Sequence, residues 1–217
     1  MKKKTMIIWT LVGTFLSLAM ILLSYFGIVR YLTLHVSGTD KLVENYSKLP
    51  KATEGRVVVS VAADPKDFDK LKPVLSSILD QTVKVDQIGV VVPLKNENNV
   101  PEYIKKIANI FPAGKDYGDG TALIPILLKE KECDTIILAL SGDVIYGKDF
   151  IEKMVDESSS NADTVLRDTK HTAILVKPEY YGCEILNTQK SKYDHDWFIK
   201  QAKKAKTVDY SENYNRL

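Results

Sequence analysis

From Thr5 to Val29 the chain carries no charged side chain, and this run restricts what it can fold into more than any other. As a helix rising about 1.5 Å per residue it would reach roughly 37 Å, beyond the about 30 Å hydrocarbon core of a bilayer. A buried core helix of that length would need a large domain packed all round it. A cleaved signal peptide would show a shorter apolar region and small residues at a cleavage site, which Phe26-Gly27-Ile28-Val29-Arg30-Tyr31 does not offer. Residues 5–29 are therefore expected to be a transmembrane anchor behind a short cytoplasmic tail at 1–4. Lys2, Lys3 and Lys4 precede the run while only Arg30 and then Lys41 follow it, a bias that places the N-terminus in the cytoplasm. The expectation is a single-pass type II membrane protein whose C-terminal domain is lumenal or otherwise extracytoplasmic. Trp9 and Tyr31 sit near the two ends, where amphipathic rings favour the interface.

Residues 30–55 show no sustained apolar periodicity and include Ser37-Gly38-Thr39-Asp40 and Leu49-Pro50, the composition of a stem. A domain is expected from 56 to 217. Arg56 to Ala62 is a β-branched apolar run of strand length, closed by Asp64-Pro65 and followed by a helical pattern from Phe68 to Leu79. Gln87 to Val92 reads as a second strand. Pro101 to Ile110 reads as a second helix with proline at its start, Thr121 to Lys131 as a third, and Thr135 to Leu140 as a strong strand. Beyond lie a helix near Lys148 to Val155, strands near Thr164 to Leu166 and Thr172 to Val176, helices from Pro178 and from about Asp194 to Lys204, and a polar tail that is expected to fray. Strands apolar on both faces and alternating with helices argue for an α/β fold with a mostly parallel sheet covered on each side, a nucleotide-binding type of architecture.

The net charge is +2. Four cations and no anion lie in the first thirty residues, which leaves 26 basic against 28 acidic residues beyond. That balance argues against a nucleic-acid partner. Cys133 and Cys183 fit no metal spacing and leave two alternatives, a disulfide or two buried thiols. Asn45-Tyr46-Ser47 is a glycosylation sequon.

In open α/β sheets ligands bind outside the carboxyl ends of the strands, so the residues just after each strand are the places to search. Asp64 follows the first strand, Lys115-Asp116-Tyr117-Gly118-Asp119-Gly120 precedes the third helix, and Ser141-Gly142-Asp143 follows the strand that ends at Leu140. A carboxylate placed like Asp143 can hold a divalent metal that neutralises a diphosphate; the same letters also make an ordinary turn. Gly118 and its neighbours could offer backbone N–H groups to an anion, or form a tight turn with Thr121 as a helix N-cap. Near the C-terminus Asp194-His195-Asp196-Trp197 could supply a general base, a further metal ligand in His195 and an aromatic surface. Alternatively Asp194 or Asp196 caps the last helix and Trp197 is core.

Three phrases in order carry a family resemblance. Val57-Val-Val-Ser-Val61, Pro65 and Leu71 to Thr82, ending in Ile78-Leu-Asp-Gln-Thr82, resemble the opening of GT-A-fold glycosyltransferases (family 2-like), whose first helix commonly ends in "SLLxQT". Lys115-Asp116-Tyr117-Gly118, Thr121, Leu123-Ile-Pro125 and then Asp143-Val-Ile-Tyr146 resemble a subgroup with "DYGPATKLIP" before a strand and a "DDDxxYP" metal loop after it. Asp194 to Trp197 resembles that subgroup's late "DDxW". The resemblance covers most of Arg56 to Lys204. It implies transfer of a sugar from a nucleotide-diphospho-sugar to a hydroxyl acceptor on a glycan, protein or lipid. Asp64, Asp116, Tyr117, Gly118 and Ser141 would lie against the donor, Asp143 and His195 on a divalent Mn or Mg ion, and Asp194 or Asp196 would act as base. The departures fall on polar positions: Ser141-Gly142 stands where two aspartates would, and Asp119-Gly120-Thr121-Ala122 where "PATK" would. Ala62-Ala63 and an acidic stretch around Asp67 stand where a threonine pair and an arginine would, and losing a metal carboxylate and two cations removes charge-assisted contacts of about 1.5–3 kcal/mol each. The alternative is thus a catalytically inactive GT-A-like domain that serves as a binding or structural module at a membrane.

Overall fold

The computed structural model describes residues 2–25, 28–161, 164–168, 172–181, 206–208 and 215–216, and the chain divides into two compact units, Met1–Ser37 and Gly38–Leu217. The first contains helix α1 (Lys2–Tyr25) and helix α2 (Ile28–Val36). Ile7, Trp9, Phe15, Leu18 and Ile21 are among the many large apolar side chains that α1 leaves exposed, and these lie all round the helix. Its polar side chains turn back on their own backbone: Thr10, Thr14 and Ser17 donate to the carbonyls of Ile7, Leu11 and Thr14 at 2.8–2.9 Å. Among the described residues no helix is long and apolar enough to cross a membrane.

The second unit begins earlier than the sequence suggests. About a third of the expected stem is helix α3 (Thr39–Ser47), whose Leu42, Val43 and Tyr46 pack against the main core. The Tyr46 hydroxyl accepts from the Val85 amide at 2.8 Å, and Lys84 Nζ donates to the Ser47 carbonyl at 2.8 Å. Gly38 to Gly55 therefore belongs to the globular unit. Apolar periodicity is weak here because α3 only half-buries one short stripe.

Among the described residues the strands are β1 (Val57–Ala62), β2 (Gln87–Pro93), β3 (Asn109–Ala113), β4 (Ile136–Leu140), β5 (Val144–Ile145), β6 (Leu166–Asp168), β7 (Ala173–Val176), β8 (Lys206–Val208) and β9 (Asn215–Arg216). Seven of them form one sheet in the order β3-β2-β1-β4-β7-β6-β8, and β5 pairs with β9. Strands β1 to β4 are mutually parallel, and β7 runs against both β4 and β6. The expected mostly parallel sheet with helices on its faces is present. The period of two sorts each strand between two layers. Val57, Val59, Val61, Ile136, Leu138 and Leu140 join a core with helices α4 (Phe68–Leu79), α5 (Glu102–Ile107) and α7 (Phe150–Ser160). Val58, Ile137, Ala139, Ile174 and Val176 face the segment that contains helix α6 (Ile124–Leu127).

The Gln81-Thr82 phrase is structural. Gln81, 2 % exposed, donates to the carbonyls of Ser77 and Gly147 at 2.9 and 2.6 Å and accepts from the Ile151 amide at 3.0 Å. Thr82 Oγ1 donates to Glu152 at 2.6 Å. Together these fasten the end of α4 to the start of α7.

Four expectations need correction. The helix expected over Pro101–Ile110 stops at Ile107, and the chain turns into β3, whose Pro112 is tolerated because β3 is an edge of the sheet. The helix expected over Thr121–Lys131 is reduced to the four residues of α6, flanked by turns. From Pro178 there is a 3-10 turn to Tyr181 rather than an α-helix. In the tail expected to fray, Asn215 and Arg216 pair with Ile145 and Val144. The helix expected from Asp194 to Lys204 lies outside the described residues. Cys133 is disulfide-bonded, which decides between the two cysteine alternatives; its partner lies outside the described residues.

Candidate functional site

The strand order fixes where a ligand would be received. From β1 the chain steps outward through β2 to β3, then returns to place β4 on the other side of β1. The loops leaving β1 and β4 diverge at this switch point, and a crevice opens outside the carboxyl ends of the two strands. The ends are level, since Val61 pairs with Leu140. Asp64 and Ser141-Gly142-Asp143 are the residues that follow them.

The two loops approach closely because position 142 has no side chain. A Cβ on Gly142 would stand 2.8 Å from the Ala62 carbonyl oxygen, and within 3.6 Å of Val61 and Leu71. Asp143 is exposed and accepts a short hydrogen bond from the Ser141 hydroxyl. The Ser141 amide is fixed from beneath: it donates to the Thr172 carbonyl at 2.7 Å and to the Tyr146 hydroxyl at 2.8 Å. Tyr146, fully buried, donates in turn to the Thr172 carbonyl at 2.8 Å. Burial, reinforced by the Asp168 and Asp143 carboxylates and opposed by the bonds to Ser141 and Thr172, holds the Tyr146 hydroxyl well above its ordinary range. The hydroxyl keeps its proton at any physiological pH.

The other expected donor contacts are occupied in shaping the chain. Asp64 caps the 3-10 turn Pro65–Asp67, accepting from the Lys66 amide at 2.9 Å. Asp116 accepts from the Gly118 amide at 2.8 Å and from Thr121 Oγ1 at 3.2 Å, while Thr121 Oγ1 accepts from the Tyr117 amide at 3.1 Å. Gly118 has φ 58°, the left-handed region, which glycine reaches without strain. Residues 116–121 thus form a self-closed turn on the carboxyl side of β3, and Thr121 locks that turn instead of capping α6. Lys115 Nζ lies 4.9 Å from the centre of the Tyr117 ring and puts a cation on this edge. The Asp194, His195 and Asp196 candidates lie outside the described residues.

No group of three or more metal-ligating side chains is assembled among the described residues. Asp143 is a single exposed carboxylate. It fits a hard divalent cation of the kind that takes one or two carboxylates and completes its shell with substrate oxygens and water, and it does not fit a preformed cage.

Three residues under the loop escaped the sequence reading. Tyr146 was visible only as a letter of the resemblance, and Asp168 and Thr172 carried no signal. Asp168, with no exposed surface, accepts from the Thr172 and Ala173 amides at 2.6 Å each and from Thr172 Oγ1 at 3.0 Å. An aspartate four residues before a threonine becomes recognisable only when the strands β6 and β7 bring the two together.

No protein-family model matches the sequence, and no curated protein matches it.

Proposed function

We propose that the chain is a membrane-anchored glycosyltransferase that binds a nucleotide-diphospho-sugar in the β1/β4 crevice and transfers the sugar to a hydroxyl of a glycan, protein or lipid. The observation that carries the reading is the exposed Asp143 carboxylate, seated at the switch point of a mostly parallel sheet and level with the end of β1. Asp143 would hold a Mn or Mg ion, which when bound neutralises the donor diphosphate. Ser141 orients that carboxylate, and Gly142 lets the loop close on Ala62. Asp194 or Asp196 is the proposed base.

Residues 5–29 are proposed as the type II anchor. The apolar side chains all round α1 and its hydroxyls bonded back to the helix suit a solvent without water. The disulfide at Cys133 suits a domain on the oxidising side of that membrane.

A non-catalytic module is the second reading, favoured by the use of Asp64 and Asp116 in their own turns. One experiment separates the two. The full chain in detergent micelles is heated with UDP- and GDP-sugars, with and without Mn²⁺, and then assayed for sugar transfer to water or added glycans. A metal-dependent rise in melting temperature with turnover supports the enzyme, since a ligand of the native state must stabilise it. A rise without turnover supports the module. No rise at millimolar donor overturns nucleotide-sugar binding.

A further inference from the structure

A continuous run of hydrogen bonds connects the buried Asp168 to the exposed Asp143. Asp168 holds the Thr172 and Ala173 amides and the Thr172 hydroxyl. The Thr172 carbonyl receives the Tyr146 hydroxyl at 2.8 Å and the Ser141 amide at 2.7 Å, and the Tyr146 oxygen accepts from that same amide. The Ser141 hydroxyl then donates to Asp143. The ring of Tyr146 has no freedom to give: it is fully buried, its centre is 4.9 Å from that of Phe150, and its own amide donates to Ser77 Oγ at 3.1 Å.

We infer that Tyr146 is a positioning residue for Asp143, clamping the Ser141 backbone to Thr172, next to the start of β7, so that the Ser141 hydroxyl presents the carboxylate in one orientation to a cation and diphosphate. The purpose assigned to the clamp rests on the proposed nucleotide-sugar site, but the clamp itself does not. Its physical basis is general: a ligand group held by packed and hydrogen-bonded neighbours needs little reorganisation when its partner arrives. Asp168 supplies the rigid end. A buried carboxylate is retained only where donors satisfy it, and here those donors fix the carbonyl to which Tyr146 bonds.

The test compares the full chain in micelles with Tyr146→Phe and Ser141→Ala. The first keeps the ring and removes the hydroxyl, leaving the Ser141 amide its direct bond to the Thr172 carbonyl. The second changes a partly exposed residue and cuts the last link without touching the core. Two measurements are made: calorimetric titration with Mn²⁺ and UDP or GDP, and hydrogen exchange of the amides from Ser141 to Val144 without ligand. A lost neutral hydrogen bond corresponds to about five- to tenfold, so Tyr146→Phe should speed exchange at Ser141 by that factor while β1 and β2 amides stay unchanged. Both variants should weaken the Mn²⁺-dependent affinity by a similar factor. If the parent chain binds no nucleotide, the functional reading fails and the exchange result alone decides the clamp. Unchanged exchange at Ser141 in Tyr146→Phe overturns the inference. So does unchanged affinity in both variants of a chain that binds.

Discussion

The two edges of the sheet are built on opposite terms. At the amino edge the polar side chains satisfy one another: Arg56 donates to Glu130 at 3.2 Å and to Gln87 at 2.6 Å, and Asp86 takes Lys51 at 2.8 Å and the Val57 amide at 2.9 Å. A cavity of about 270 Å³ lies there, lined by Arg56, Gln87, Phe111, Lys129 and Glu130 among others, and Arg56 and Glu130 in its wall are paired with each other. At the carboxyl edge Asp143 accepts from the hydroxyl of Ser141 and is exposed. One edge closes the fold, and the other leaves a charge for something else to meet.

The comparison breaks most visibly if the edges can exchange roles. Arg56→Ala leaves Glu130, 9 % exposed at its side chain, without its cation. It should cost about 2–3 kcal/mol in denaturant unfolding, less than a fully buried pair because Arg56 itself is partly exposed, with nucleotide affinity unchanged. Asp143→Asn should do the reverse, lowering Mn²⁺-dependent nucleotide affinity by about tenfold to a hundredfold while shifting stability by less than about 0.5 kcal/mol. A destabilised Asp143→Asn would show that the carboxyl edge, too, is scaffold. Gly142→Ala lies between them. Its methyl meets the Ala62 carbonyl, and the forced separation of the two loops should cost about 1–2 kcal/mol and weaken binding as well.

The smallest effect concerns pH at the amino edge. Burial raises the Tyr46 hydroxyl to about 12, the bond from Val85 opposing and Asp86 adding to the rise. Below pH 10 the hydroxyl is protonated in folded and unfolded chains alike. Between pH 10 and about 12 the unfolded chain loses this proton and the folded one keeps it, so stability falls as pH rises through that window. By pH 11 the loss from this group is about 1 kcal/mol. Thermal melts of Tyr46→Phe should show a shallower alkaline decline than those of the parent; equal slopes would mean that the Tyr46 hydroxyl is not held by burial and the Val85 amide.

What was legible in the sequence follows the same division. The strands β1, β2 and β4 and the helix α4 were readable because each buries a long, regular apolar pattern, and α4 agrees at both ends. The segment from Ala108 to Ala113 was misread because Asn109-Ile-Phe-Pro-Ala113 is an edge strand with a proline, too short to show its period. At the site, position along the chain was enough to find Asp143, since the residue after a strong strand falls at the carboxyl edge whatever else the fold does. The roles of Asp64 and Asp116 were not readable. Whether a carboxylate faces a ligand or closes a turn depends on backbone angles that Asp64-Pro65 and Asp116-Tyr117-Gly118 permit either way. Tyr146 and Asp168 were beyond reach because their partners are 26 and 4 residues distant and meet only through the sheet.

Pro112 in β3 has a consequence for copies of this chain crowded side by side. An edge strand normally offers its free amides and carbonyls to any neighbour that extends the sheet. Here the outermost strand is interrupted by a residue with no amide proton to give, opposite Val92 in the register, and a second molecule docking along it would find the ladder weakened at Pro112. Crowding of these domains would then leave each sheet at its own width, with no shared sheet growing from this side.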